Sequence, residues 1–292
     1  MSETPQPSQP EQPADAGPAT DPQTGEDLSW RQTAMSAVLL DRSAPDHREI
    51  GELLTEIFEG SFQVEHGTDD DPATAVYIED ATVIVTSVDA PIPDGHAKNN
   101  TRELAVWNGG EAVVDTHRSQ VVVIALRLGP VGDDGEVGPP DYLDPRSEAL
   151  RCELAVANVT AALTALPGAV AVSVGGAANT LPAVAYRDFV TGNPIPVPVL
   201  VGVRAGRRSE TTASVYTTGL ARFGRMDLER LDVEAPPGQL YGQMCDLVAF
   251  ALSSGTVFQP GQTLELGESR TLVTSTEQSP FTGQQVLRLT AG

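Results

Sequence analysis

The apolar positions of this chain recur at two spacings, and the order in which the spacings alternate predicts its elements. Residues 34–41 (AMSAVLLD) form a short apolar run that predicts a buried strand. Ile50, Leu53, Leu54, Ile57 and Phe58 follow at i, i+3, i+4, i+7 and i+8, which is one face of a helix. Ser43 is placed to cap that helix, Pro45 lies near its first turn, and Gly60 ends it. Residues 62–66, 75–79 and 82–88 predict strands. Ala90-Pro91-Ile92-Pro93 stops the last of them, because alternate prolines remove ladder donors. Asn100 or Thr101 is placed to cap a short helix to Trp107, ended by Gly109-Gly110. The near-continuous apolar run 120–128 predicts a central strand covered on both faces, and 129–144 a loop.

In the second half a helix is predicted over 148–166, stopped by Pro167-Gly168, then a strand over 170–174 and a helix from an Asn179 cap to Val190. Three β-rich runs come next, at 199–204, 213–220 and 226–233. Arg204-Ala205-Gly206-Arg207-Arg208 breaks the first from the second, and Gly219 and Gly224 bracket the second break. Short runs so separated predict a three-strand meander. Its second turn needs positive φ at the glycines, with Phe223 in the core and Arg222 and Arg225 at the surface. A helix over 239–254 and a hairpin of 270–276 with 285–289 complete the chain. Ten or eleven strands with four or five helices in this order predict an α+β fold. Its mixed, mainly antiparallel sheet or sheets are covered by three longer helices.

Composition changes this picture at one end. Residues 1–30 hold six prolines, six acids, no base and almost no large apolar side chain, so burial cannot offset the entropy of ordering them. They are predicted as a disordered tail, with Trp30 placed to pin its end, and residues 34–292 as a single domain. The 40 acids against 18 bases leave a formal charge of −22, which argues against nucleic acid and anionic membrane surfaces as partners. Lys98 is the only lysine. GC-rich codon usage and adaptation to high salt both account for that. No apolar run is long enough to span a bilayer, and the N-terminus lacks a signal-peptide pattern, so a cytoplasmic protein is expected. Cys152 and Cys245 fall in helical patterns and read as two buried thiols.

Several features together resemble a bacterial family catalogued as a domain of unknown function (number 4261). They are Ala37-Val38-Leu39-Leu40, the Ala90–Pro93 break, Trp107 followed ten residues later by His117-Arg118, and Gly219-Leu220-Ala221-Arg222-Phe223-Gly224 followed by Glu229. The resemblance runs from about Ala34 to the C-terminus. It implies a domain boundary there and no established activity. Where the family often has a second histidine, three positions after the first, this chain has Gln120.

The candidate chemistry is sparse. His47, His66, His96 and His117 show no metal-ligand spacing, there is no Cys-x-x-Cys, and no metal or cofactor is expected. Ala171-Val172-Ser173-Val174-Gly175 lacks the first glycine of a nucleophile elbow. Between Arg187 and Arg230 stand seven arginines and four acids, a locally basic stretch in an acidic chain. Arg222 and Arg225 there, and Trp107, are the candidates for binding an acidic protein segment or small anionic ligand. The first reading is therefore a non-enzymatic binding module, such as an adaptor or immunity protein. The rival is a hydrolase or transferase whose site holds His117, Arg118 and Glu103. A cleft joining His117 to a carboxylate favours the enzyme, and an exposed apolar patch favours binding.

Overall fold

The computed structural model describes residues 34–78, 81–101, 107, 109–127, 145–266 and 269–291. The predicted tail, Glu103 and the predicted loop at 129–144 lie outside these residues. The fold is mixed α+β, built on two sheets.

The first sheet is antiparallel throughout. Its strands are β1 (Met35–Leu40), β2 (Gln63–Glu65), β3 (Thr74–Ile78), β4 (Ala81–Val88), β5 (Ser119–Arg127), β6 (Ala169–Val174) and β7 (Asn179–Pro182), in the order β2-β3-β4-β5-β1-β6-β7. Alternation along a strand sends successive side chains to opposite faces. In β1, Val38 and Leu40 enter the main core, where α1 (His47–Ile57) and α4 (Pro145–Leu163) pack. Ala37 and Leu39 enter a smaller cluster on the other face, with Ala97 of α2 (His96–Asn99), Val114 of α3 (Gly110–Val114) and Trp107.

Local chemistry moved three of the expected boundaries here. Asp46 rather than Ser43 caps α1, its carboxylate accepting the Glu49 N–H at 2.8 Å. Gly110 opens α3 where a helix end was expected, and the body of the helix expected from Asn100 or Thr101 to Trp107 lies outside the described residues. Asn179 opens strand β7 instead of capping a helix. It pairs with Val174 and donates its amide to the Pro198 carbonyl at 2.7 Å, and helix α5 starts only at Ala183 (Ala183–Gly192).

The second sheet contains the predicted meander. Strands β8 (Gly202–Arg207), β9 (Ala213–Thr218) and β10 (Leu228–Val233) pair antiparallel in sequence order. Val199 and Leu200 do not open β8 but wind into α6 (Val197–Leu200), whose first turn accepts Pro198. The chain continues through α7 (Pro237–Ser254), β11 (Thr263–Leu266), β12 (Ser269–Gln278) and β13 (Gln285–Ala291). Strand β11 was not anticipated. The order is β11-β12-β13-β10-β9-β8, and only β10 with β13 is parallel. Helix α7 lies on β8 and β9 and inserts Leu240, Met244, Leu247, Val248 and Ala251 into a second apolar core. Helix α4 serves both cores: Ala149 and Leu154 meet the second, Cys152, Val156 and Val159 the first.

Candidate functional site

The turn between β9 and β10 departs from expectation at its arginines. Gly219 (φ 97°) and Gly224 (φ 62°) both take the left-handed conformation, as the turn demanded, and Phe223 is fully buried. Between them Leu220–Phe223 form one 3-10 turn. Arg222 and Arg225 are not at the surface: they are 4% and 9% exposed. The two left-handed residues fold the turn into the seam between the sheets. There the Arg222 guanidinium donates to the Glu153 carboxylate of α4 and to the Leu200 carbonyl. Arg225 donates to the carbonyls of Phe223 (2.7 Å), Ala251 (2.9 Å) and Thr256 (3.0 Å). A guanidinium is tolerated in a core only when an anion or several carbonyls receive its fixed fork of donors, and both arginines meet that condition.

Arg204 and Arg230 are buried as well, which leaves Arg187, Arg207 and Arg208 as the exposed arginines of the stretch. Arg208 lies over the Phe281 ring at 5.3 Å, and that ring stacks on Tyr216 at 4.6 Å. The basic patch read from the sequence is therefore dispersed: most of its charge is spent inside the protein.

Of the buried acids, the sequence marked Glu229 only within the family resemblance and gave Asp227 and Glu153 no role. Glu229 is fully buried and accepts from the Ser279 hydroxyl (2.5 Å) and from Arg288 (2.8 and 3.2 Å). Asp227 accepts from the Thr217 hydroxyl (2.8 Å) and the N–H groups of Leu220 (3.1 Å) and Gly219 (3.3 Å), so it closes the 3-10 turn. Burial pushes its carboxyl above the usual range, against the pull of those donors and of Arg222. A hydroxyl cluster lies beyond Glu153: Ser36 and Thr160 are 2.5 Å apart, and the buried Tyr186 joins them. Burial raises the Tyr186 phenol.

His117 is held by backbone on both nitrogens. Nδ1 donates to the Val114 carbonyl, and Nε2 accepts the Ile92 N–H at 2.9 Å. A carbonyl only accepts and an N–H only donates, so these partners select the neutral Nδ1–H form. The ring thereby ties the proline break to the end of α3. Arg118 is exposed, with its N–H on the Leu40 carbonyl at 2.7 Å. Trp107 packs over Gly110 in the small outer cluster. His117 and Trp107 thus belong to one patch of the sheet, while Arg222 and Arg225 sit in the seam. His66 bonds Thr55 at 2.8 Å, and His47 is 3.6 Å from Asp69. Among the described residues no three His, Cys, Asp or Glu side chains form a metal-binding group, and no helix is long and apolar enough to cross a membrane.

The outer face of the seven-stranded sheet is covered unevenly. Its β1/β6 half lies under α2, α3 and Trp107. The other half carries Tyr77 of β3, Ile84 of β4, Val122 and Ile124 of β5, and Met35 of β1. The strand registers align Ile84, Ile124 and Met35 in one cross-strand row. Met35 is 44% exposed and Tyr77 36%, and the other three are half-buried. Among the described residues no helix covers this half. At its rim the Tyr77 hydroxyl donates to Glu65 at 2.6 Å. The signal for this patch was present in the sequence as the apolar parity of β1 and β5, but strand order alone brings the row together.

No family profile matches the chain, and no curated protein or solved structure matches it either.

Proposed function

We propose that this chain is a non-enzymatic protein-binding module, an adaptor or immunity protein, whose contact surface is the open half of the seven-stranded sheet. The observation that carries the reading is the row Ile84, Ile124 and Met35, flanked by Tyr77. It forms an apolar patch that no helix covers among the described residues, on a sheet whose opposite face holds the main core. Methionine and tyrosine suit such a role, because they offer contact area at low rotamer cost or adapt to a partner's shape. We read α1, α4 and α7 as the covers of the two sheets, which leaves this patch for a partner. Placement in the cytoplasm and membership of the family of unknown function belong to the same proposal. They rest on the sequence features given above.

The hydrolase or transferase reading at His117 draws less support, because both ring nitrogens are engaged by backbone. The anionic-ligand reading draws less too, because Arg222 and Arg225 are engaged internally.

The test is affinity isolation from source cells with three forms of the full chain: unaltered, Met35→Asp/Tyr77→Asp, and Val184→Asp. Val184 is 60% exposed on α5, away from the sheet face. A partner retained by the unaltered and Val184→Asp forms and lost by the double variant is the expected result. A partner held equally by all three overturns the proposal.

A further inference from the structure

The chain enters β1 at the open half-face itself. Met35, the first residue of β1, pairs with Ile124, and the Ala34 carbonyl still accepts the Ala125 N–H at 3.0 Å. Residues 1–33 precede that point, outside the described structure. Among them Trp30 is the sole aromatic residue, five positions before Met35, in the run Asp27-Leu28-Ser29-Trp30.

Resting on the binding reading above, we propose that the Leu28–Trp30 segment is the occupant of the open half-face in the same chain. Reach permits this: five residue steps span up to about 17 Å. Ile84 lies two strands from β1, roughly 10 Å away. Direction favours it as well. Beyond the Met35–Ile124 row, toward the chain's entry, the next row of the sheet holds Tyr77 and Thr82, so β1 runs into the sheet from the Tyr77 side. Chemistry selects the segment. The patch presents Ile84, Val122, Ile124 and Met35 without a charged side chain among them. Leu28 and Trp30 are the only large apolar side chains between residues 2 and 33.

Tryptophan emission tests this, because the chain has only two tryptophans, Trp30 and Trp107. In the full-length Trp107→Phe variant the emission comes from Trp30 alone. The expected result is blue-shifted emission and acrylamide quenching several-fold slower than that of free N-acetyltryptophanamide. Tyr77→Ser and Met35→Ser in that background are expected to shift the emission to the red and speed the quenching. Emission and quenching matching the free amide overturn the proposal, as does a blue shift that neither serine variant moves. If Trp107→Phe unfolds, Trp30→Phe in the otherwise unaltered chain yields the same contribution by difference. A freely solvated Trp30 leaves the binding reading standing, since the patch is then open to a partner. An occupied face with no partner lost by the Met35→Asp/Tyr77→Asp variant tells against the binding reading alone.

Discussion

The seven-stranded sheet buries Val38, Leu40, Val83, Val85, Val121 and Val123, whereas the six-stranded sheet and its turns bury Arg204, Arg222, Arg225, Arg230, Asp227 and Glu229. Both halves have an apolar core under a long helix. They differ in what holds them beyond that core. In the first, the interior polar groups are uncharged, mostly hydroxyls as at Ser36 and Thr160, with the amides of Gln120 and Asn179. In the second, charges are satisfied by partners far away in sequence: Arg222 by Glu153, 69 residues distant, and Glu229 by Arg288, 59 residues distant. Apolar burial is non-directional and tolerates small adjustments. A buried ion pair requires both members in place, so the second half depends more steeply on single side chains.

The pair in the seam offers the largest test of that contrast. Glu153→Ala strands the Arg222 guanidinium in the interior and is expected to destabilise by about 3–5 kcal/mol, read from the urea-unfolding midpoint. Replacing both members, Glu153→Met with Arg222→Met, is expected to cost less than Glu153→Ala alone, because it leaves no unpaired charge. A loss under about 1 kcal/mol for Glu153→Ala would dissolve the comparison, since exposed pairs behave that way.

Two glycines sharpen it on a smaller scale. Gly60 after α1 and Gly219 before the 3-10 turn both have positive φ, 73° and 97°. A Cβ on Gly60 meets nothing within 4 Å, while on Gly219 it would lie 2.7 Å from the Gly176 carbonyl. Alanine is expected to cost about 1 kcal/mol at Gly60, from backbone strain alone. At Gly219 the loss should reach about 2 kcal/mol or more, because strain and collision add. Equal midpoints for the two variants would mean that the seam relaxes as easily as an open helix end.

The smallest effect concerns the two thiols. Burial pushes the Cys245 thiol up to about 11, with Asp246 adding to the rise and a bond with Tyr241 opposing it. Its ordinary value is 9.0, so a two-unit rise leaves roughly 100-fold less thiolate at pH 8 than a free cysteine has. Because the folded state holds this proton more tightly, its contribution to stability is complete below pH 9. It is lost as pH rises through the interval up to about 11. Iodoacetamide at pH 8 is expected to modify Cys245 far more slowly than glutathione, and both cysteines readily after denaturation. Rapid alkylation of the native protein would show that this side of α7 is open.

Much of the architecture was legible in local pattern. The apolar run at 34–41, the helical recurrence from Ile50 to Phe58 and the Gly219/Gly224 punctuation each correspond to a structural element. Each depends on neighbours a few residues away. The misplaced boundaries share a cause. Asn179 has the chemistry of a helix cap, but pairing with Val174 and the bond to Pro198 give its backbone and amide better partners. The candidate site was less legible. The sequence singled out Arg222 and Arg225 because charge is ordinarily solvated, and both were taken inward by partners on α4, α6 and α7.

The sequence by itself determined the alternation of strands and helices, the left-handed turn between β9 and β10, the tail's inability to build a core, and the acidity of the whole. Each follows from composition or short-range spacing. Tertiary structure alone decided that β1 lies between β5 and β6, that β13 runs parallel beside β10, and that Arg222 meets Glu153. It also decided that, among the described residues, no helix covers half of one sheet face. Strand order sets which side chains become neighbours, and that order is chosen by the summed burial of residues far apart in the chain, which no local window contains.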